Sequence, residues 1–369
     1  MKKGIGIGIE DFKQMIREDC YYFDKTNYIE ELLKDRTMIR LFTRPRRFGK
    51  TLNMTTLKYF FDVRNTEENR KLFKDLYIEK SEYFKEQGQY PTIFITLKDT
   101  KKNNWEECFS KIKIILRDLY GEHNYIKDKL SINEKEEYDK ILFKKDDAEY
   151  DNALLNLTKY LYNYYQKKVV LLIDEYDSPL ITANQFGYYK EAINFFRDFL
   201  SSALKTNSNL KMGVLTGIVQ VAKEGIFSGL NNVITYNILG NDFETFFGLS
   251  EEEVENSLKY FELEYEIEEV KKWYDGYKFG NSEVYNPWSI INYLRTKELQ
   301  AYWVNTSDNA LIYDNLKNST VDVFKDLEAL FEGKAIKKEI SPFFTFEELS
   351  KFDGIWQLMV YNGYLKINE

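Results

Sequence analysis

Short apolar runs alternate with amphipathic stretches over the first 242 residues, and the two patterns predict strands and helices in turn. Residues 168–174 contain five consecutive apolar positions, which suits a strand buried on both faces of a parallel sheet. Similar strand-like runs lie at 38–43, 91–97, 210–216 and 232–239. The alternation predicts an α/β fold in which helices cover both faces of a parallel sheet.

Helical periodicity fills the intervals between these runs. Phe12, Met15 and Ile16 are spaced as on one face of a helix, and a second helix is expected to begin near Asn27. Further helices are predicted at 50–61, from Trp105 onward, at 152–166 and at 186–205.

The interval at 121–150 is highly charged and shows no pattern of a buried strand. We expect it to be an exposed helical insertion. Its His123 is the one histidine of the chain, and we expect it in a solvated loop rather than in a catalytic role.

The sequence pattern changes at about residue 243: strand-like apolar runs become rare, and the following sequence has helical periodicity and many aromatic residues. Ser250 and Glu253 have the spacing of a capping box, and Asn286 followed by Pro287 has the form of a helix start. The segment 273–277 places a glycine turn between aromatic residues, which either packs a lid or places a lid group over a ligand. We predict two domains, 1–242 and a mainly helical 243–369.

Composition narrows the class of protein. With 369 residues, 43% of them hydrophobic, the chain can bury a large core. A net charge of −8 argues against a protein that binds polyanions in general, although the composition allows a local basic patch. Cys20 and Cys108 lie too far apart in sequence for a metal-ligand pair, and so few cysteines favour a reducing compartment.

No apolar run approaches the roughly 20 residues that span a bilayer, and the N-terminus lacks the pattern of a secretory signal. We expect a cytoplasmic protein with no membrane partner.

Residues 44–51 carry the strongest chemical signal, because they read Arg-Pro-Arg-Arg-Phe-Gly-Lys-Thr directly after the first predicted strand. In the phosphate-loop pattern G-x-x-x-x-G-K-[ST], backbone amides wrap the phosphates, the lysine reaches the β/γ oxygens and the hydroxyl holds Mg²⁺. Arg44 stands where the pattern has its first glycine, and a chance surface turn is the alternative. The predicted nucleotide-binding residues are Arg46, Arg47, Phe48, Gly49, Lys50, Thr51 and Leu52.

Asp174 and Glu175 end the apolar strand at 168–174. Open α/β sheets bind ligands at the carboxyl ends of their strands. Asp174 therefore suits a direct or water-mediated contact with Mg²⁺, together with Thr51, and Glu175 is placed to polarise a water for attack on a γ-phosphate. The alternative is an acidic strand end that caps the next helix.

The order of the motifs limits the possible strand orders of the sheet. The phosphate loop follows the first strand, and the acidic pair Asp174 and Glu175 follows the third. In P-loop ATPases of the additional-strand type, another strand lies between those two in space and ends in a polar residue near the γ-phosphate. Thr216 is the candidate for this sensing position, unless it only satisfies its own turn. The arginines Arg44, Arg46 and Arg47 either contact phosphate oxygens or form ion pairs that shape the loop.

These residues together resemble a bacterial family usually called AAA-ATPase-like, whose members often carry a C-terminal nuclease-like domain of the PD-(D/E)XK type. The matching segments are residues 23–26, 44–51, 173–180, 215–217, 227–232, 247–250, 273–277 and 285–289. The resemblance implies an ATP- and Mg²⁺-binding fold related to AAA+ and STAND-like P-loop ATPases, and the family's loop uses arginine at the position of Arg44.

Two departures from the family pattern matter. A basic residue expected near Gln220 is missing, which puts a sensing role there in doubt. The chain stops at Glu369, where relatives commonly continue into the nuclease-like part, and we find no nuclease constellation in it. We expect either a short relative or a truncated piece.

The function predicted from these residues is a slow, Mg²⁺-dependent ATPase that acts as a nucleotide-dependent switch, with Lys50 and Glu175 as its catalytic residues. The family context suggests a nucleic-acid-directed defence or mobile-element system. A non-catalytic module that nucleotide stabilises, and a small-molecule kinase, are the alternatives. The C-terminal part could bind a protein partner or a second copy of the chain.

Overall fold

The computed structural model describes residues 2–220, 232–263, 267–303, 310–317, 319–341 and 354–368. The matching segment at 227–231 lies outside these residues. The chain divides into two compact units that are interleaved in sequence. The described residues of the first unit lie within Met1–Phe42, Gly49–Gly217 and Lys223–Tyr236, and those of the second lie within Thr43–Phe48, Ile218–Ala222 and Asn237–Glu369.

A five-stranded sheet flanked by helices forms the centre of the first unit. Its strands are β1 (Ile39–Thr43), β2 (Thr92–Thr96), β3 (Val169–Asp174), β4 (Leu210–Gly217) and β5 (Val233–Tyr236). The order across the sheet is β2-β3-β4-β1-β5, and the pairs β2–β3, β3–β4 and β1–β5 are parallel. Every residue of β1 and β3 is buried, as the apolar run predicted for β3. β4 therefore lies between the strand before the loop and the strand that carries the acidic pair.

All five predicted strands are present, and β5 is shorter than the predicted run at 232–239. The strand stops before Asn237, whose side chain accepts a hydrogen bond from the backbone N–H of Leu239 at 2.9 Å. Such a turn competes with continued strand pairing.

Helices of the first unit contact this sheet directly or through one another, and the helix at Lys50–Phe61 lies against β2 and β3. The helices are α1 (Phe12–Arg17), α2 (Asn27–Lys34), α3 (Lys50–Phe61), α4 (Thr66–Lys71), α5 (Trp105–Glu122), α6 (Ile132–Leu142), α7 (Ala153–Tyr165), α8 (Ser178–Phe186) and α9 (Tyr189–Leu204). The predicted helix at 186–205 corresponds to α9. A separate helix, α8, precedes it, because Gly187 adopts a left-handed φ of 81° and ends α8.

The interval at 121–150 is helical as predicted, but the prediction of an exposed insertion is wrong for its inner face. Ile126, Tyr138 and Ile141 are buried, and the Tyr138 ring centre lies 4.6 Å from that of Tyr120 on α5. His123 is also buried, at 1% exposure, so the expectation of a solvated loop residue is wrong. Burial lowers the pKa of His123 to about 3, which keeps the ring neutral at physiological pH.

The described part of the second unit contains helices and one antiparallel hairpin. The helices are α10 (Glu251–Tyr260), α11 (Ile267–Tyr274), α12 (Pro287–Thr296), α13 (Ala310–Lys317), α14 (Val321–Phe331) and α15 (Gly354–Tyr361). The hairpin pairs β6 (Asp275–Phe279) with β7 (Ser282–Tyr285). Our prediction overlooked this hairpin, whose turn lies at Gly280 rather than at Gly276.

Both predicted helix starts in this unit are confirmed. Ser250 and Glu253 form a reciprocal capping box at α10, and the side chain of Asn286 accepts the backbone N–H of Ser289 at 3.1 Å at α12. Among the residues described, no helix combines the length and the apolar character that a membrane crossing requires.

Candidate functional site

Three hydroxyl groups converge on the carboxylate of Asp174 at the carboxyl end of β3. Thr51 Oγ1 donates to Asp174 Oδ2 at 2.8 Å, and Thr216 Oγ1 donates to Asp174 Oδ1 at 2.5 Å. Thr96 Oγ1, at the end of β2, lies 3.4 Å from Asp174 Oδ2. The residues come from α3, β4 and β2, so parallel pairing brings the strand ends together at one edge of the sheet.

Asp174 is fully buried, and its surroundings act on its charge in opposite directions. Burial raises the pKa of the Asp174 carboxyl above its usual value, and the neighbouring charge of Glu175 raises it further. The hydrogen bonds from Thr216 and Thr51 and the ammonium group of Lys50 lower it. A cation placed beside Asp174 would therefore stabilise the charged carboxylate.

The first turn of α3 supplies groups that suit an anion. Gly49 precedes the helix with a left-handed φ of 75°, which a residue with a side chain rarely adopts. No side chain caps this N-terminus, and Lys50 and Thr51 are its first two residues. Backbone N–H groups at a helix start, together with the helix dipole, favour a bound phosphate or carboxylate. Lys50 is 8% exposed, and Leu52, two residues later, is half-buried.

Glu175 follows Asp174 and is held in a defined turn. Its backbone has a positive φ of 52°, which is uncommon for a residue with a side chain. The hydroxyl of Ser178, at the start of α8, donates to Glu175 Oε2 at 2.8 Å. The backbone N–H of Ser178 donates to the carbonyl oxygen of Glu175 at 3.1 Å. The side chain of Glu175 is half-buried at the same edge of the sheet as Asp174.

The prediction from sequence missed Ser178 and Thr96. Ser178 lies three residues after Glu175, a spacing that allows a side-chain contact across a turn, and this was the available signal. Thr96 ends its strand as Asp174 does, but the register that pairs the two is visible only in the sheet. Thr216, the candidate sensor, directs its hydroxyl at Asp174.

The turn that carries the acidic residues packs tightly against the end of β4. The backbone N–H of Tyr176 donates to the carbonyl oxygen of Thr216 at 3.0 Å. A Cβ atom at Gly217 would lie 2.8 Å from Asp177 Oδ1 and 2.8 Å from Cε1 of Tyr176. Both Tyr176 and Asp177 are buried, so a side chain at position 217 would have to displace packed atoms.

We expect Gly217→Ala to lower the free energy of unfolding by about 1–3 kcal/mol, because overpacking forces neighbouring atoms to move. Urea denaturation followed by circular dichroism measures the change. The matched control is Gly121→Ala near the end of α5, where a Cβ atom would meet no atom within 4 Å. This control should leave stability unchanged or raise it by up to about 1 kcal/mol. Equal stability of Gly217→Ala and the wild type would contradict the packing described here.

The remaining predicted binding residues, Arg46, Arg47 and Phe48, belong to the second unit together with Arg44. Arg46 is half-buried. Arg47 is exposed, has a positive φ of 69°, and places its guanidinium 4.3 Å from the ring centre of Trp288. The side chain of Phe48 is buried at 1% exposure, which leaves its backbone N–H as the group that a ligand could use.

Comparison with known proteins gives a family and one relative. A family model described as Predicted AAA-ATPase (AAA-ATPase_like) matches residues 6–227, which is more than half of the chain. The chain is also 26% identical over 318 residues to a protein from Azotobacter chroococcum mcd 1 described as "Uncharacterized protein in vnfD 5'region". The alignment covers 85% of this chain and 56% of that relative, so the chain spans about half of the relative's length. No solved structure matches the chain.

Proposed function

The chain belongs to the predicted AAA-ATPase family, and from this premise we propose that it is a Mg²⁺-dependent ATPase that works as a nucleotide-dependent switch. The observation that carries the proposal is the hydrogen bond of 2.8 Å between Thr51 Oγ1 and Asp174 Oδ2, with Glu175 next in the chain. This contact joins the hydroxyl of the phosphate loop to the acidic strand end, as nucleotide and metal binding at one site require.

The strand order supports the additional-strand type of P-loop fold. β4 lies between β1, which leads into the loop, and β3, which ends in Asp174 and Glu175. Thr216 stands at the end of that intervening strand with its hydroxyl on Asp174. We propose that Thr216 responds to the γ-phosphate through this carboxylate.

The oxygen donors at the site fit Mg²⁺. The ion prefers hard oxygen ligands and is commonly held by one or two protein oxygens together with water and phosphate. Thr51 and Asp174 would supply those protein oxygens, and bound Mg²⁺ would neutralise phosphate charge. The described residues contain no group of three or more His, Cys, Asp or Glu side chains able to hold a metal, so the proposed ion would need phosphate oxygens and water to complete its coordination.

Different groups of the chain would bind the phosphates, compensate their charge and take the proton from water. The amides at the start of α3 would hold phosphate oxygens, and the ammonium of Lys50 would compensate charge on the β- and γ-phosphates. Glu175 would accept a proton from the attacking water. Ser178 holds Oε2 of Glu175 in place, so Oε1 is the oxygen that would meet the water.

The first test is hydrolysis by the wild-type protein. With radiolabelled ATP and Mg²⁺ we expect slow release of free phosphate, and chelation by EDTA should abolish it, because the phosphate charge is then uncompensated. A metabolite pool is included as a separate arm: label transferred to a small molecule would favour a kinase. Binding of ATP without any hydrolysis would favour a non-catalytic module that nucleotide stabilises.

We also propose a cellular role for this ATPase, with nucleic acid as its partner. The family resemblance suggests a nucleic-acid-directed system in the cytoplasm, although the net charge of −8 gives no general attraction for polyanions. The hydrolysis assay is therefore repeated with double-stranded DNA, single-stranded DNA and RNA. An increase in rate with one of them supports the nucleic-acid role, and equal rates in all arms oppose it.

A further inference from the structure

Residues 43–48, which are the last residue of β1 and the first five residues of the phosphate loop, pack as part of the second compact unit, whereas Gly49–Gly217 belongs to the first. The distant neighbours of this segment lie between positions 243 and 363, and all of them follow residue 227, where the match to the family model ends. A segment that should wrap phosphates is thus held by residues far away in sequence.

Arg44 is the centre of this packing and is fully buried. Its guanidinium donates to the carbonyl oxygen of Thr43 at 2.9 Å and to that of Phe243 at 3.1 Å. It also lies 5.2 Å from the ring centres of both Phe247 and Phe279. A buried cation between two aromatic rings is favourable, and carbonyl acceptors offset part of its desolvation cost.

Phe48, at the other end of the segment, is buried by the same hairpin. Its ring centre lies 4.8 Å from that of Tyr277 and 5.1 Å from that of Phe279. Gly248, with a positive φ of 98°, faces this ring: a Cβ atom there would lie 3.2 Å from Cδ1 of Phe48. Phe279 therefore contacts both the arginine that begins the loop and the phenylalanine that precedes its glycine.

Two further residues lie beside the middle of the segment. Gly363, two residues after the end of α15, lies close to the buried Pro45: a Cβ atom placed there would be 3.4 Å from Cβ of Pro45. The guanidinium of Arg47 stacks 4.3 Å from the ring centre of Trp288 on α12. Arg44, Arg47 and Phe48 thus make side-chain contacts in a segment where a glycine-rich turn would make none.

We propose that Arg44, Phe247 and Phe279 are positioning residues for phosphate binding. Resting on the proposed ATPase function, this inference assigns to the second unit the task of fixing the backbone of residues 44–48. Because Phe48 is covalently followed by Gly49, that backbone delivers the loop to the start of α3 already ordered, and less conformational entropy is lost on binding. Arg44 replaces a flexible glycine with an anchored side chain.

Thermodynamic linkage gives the proposal its distinctive consequence. If packing in the second unit improves nucleotide affinity, then nucleotide must stabilise that packing by the same factor. A role confined to core stability would change unfolding without producing this reciprocal effect. We therefore expect ATP to slow amide hydrogen exchange in residues 243–248 and 275–285 of the wild-type protein.

The decisive variant is Arg44→Gly, which restores the common glycine of the phosphate-loop pattern. If Arg44 positions the loop, this variant should bind ATP about tenfold or more weakly, because it loses charged hydrogen bonds and ring contacts. Calorimetry measures the affinity. Phe279→Leu, which keeps an apolar side chain but removes the ring, should weaken binding by a smaller factor and lose the nucleotide-dependent exchange protection. Phe331→Ala, at an 88% exposed position of the same unit, is the control and should bind like the wild type.

The outcomes separate the inference from the function on which it rests. Arg44→Gly binding ATP as tightly as the wild type, or more tightly, overturns the positioning role and leaves the ATPase proposal intact. Wild-type protein that fails to bind ATP overturns both. If Arg44→Gly does not fold, Phe279→Leu decides: equal affinity and equal exchange protection to the wild type would overturn the inference.

Discussion

Lys50→Ala is expected to abolish ATP binding: the loss of a charged hydrogen-bond donor worth roughly 1.5–3 kcal/mol lowers the affinity by about 10- to 100-fold, and the loss of its charge beside the phosphates lowers it further. Lys50 is the first residue of α3 and is 8% exposed, so solvent cannot replace its ammonium freely. Isothermal titration calorimetry with ATP and Mg²⁺ measures the change. Circular dichroism checks that the variant is folded.

The matched control is Lys58→Ala, on the same helix. The ammonium of Lys58 lies 5.3 Å from the ring centre of Phe94 and 5.8 Å from that of Tyr59, away from the helix start. Lys58 is half-buried, and we expect the ATP affinity of the variant to stay within about twofold of the wild type, since the loss of these two cation–π contacts does not touch the helix start. Unchanged affinity in Lys50→Ala would refute the assignment of residues 44–51 as a phosphate loop.

Glu175→Gln is expected to keep ATP binding and to lower the rate of hydrolysis by about 10²–10⁴, the range for loss of a general base. Glutamine has nearly the same shape, and its amide oxygen can still accept the hydrogen bond from Ser178. It cannot take a proton from water. Single-turnover hydrolysis measures the chemical step, and calorimetry on the same preparation measures affinity.

Glu191→Gln on α9 removes an equal charge from an exposed position and serves as the control. It should hydrolyse ATP at the wild-type rate. Hydrolysis at the wild-type rate by Glu175→Gln would exclude this carboxylate as the base. A parallel loss of binding and hydrolysis would instead assign to Glu175 a role in holding the nucleotide or the metal.

Local patterns carried most of what the sequence could predict. Five consecutive apolar residues before Asp174 predicted β3, and the helix expected at 50–61 is α3 with the same limits. The glycine of the loop pattern at 49 stands directly before this helix, where its left-handed φ of 75° suits a residue without a side chain. Each of these signals is contained within about a dozen residues, where periodicity and backbone preferences act directly.

Contacts between distant segments could not be predicted in this way. The hydrogen bond from Thr96 to Asp174 depends on strand register. His123 is buried near the charges of Arg64 and Lys58, which lie much earlier in the chain. The hairpin of β6 and β7 was missed because the glycine at 276 resembles a turn, although the turn forms at Gly280. These features arise from tertiary packing, which overrides local preference.

The contacts of Arg44 with residues much later in the chain also affect how the protein folds during synthesis. The carbonyl acceptor on Phe243 lies 199 residues further along the chain. At a ribosomal rate of roughly 5–20 residues per second, the nascent loop waits about 10–40 s for this acceptor to be synthesised. During that interval Arg44 and Phe48 lack their later neighbours, and the apolar ring of Phe48 can associate with other chains or with a chaperone. Slower translation of the C-terminal half would lengthen this exposure and lower the yield of native protein.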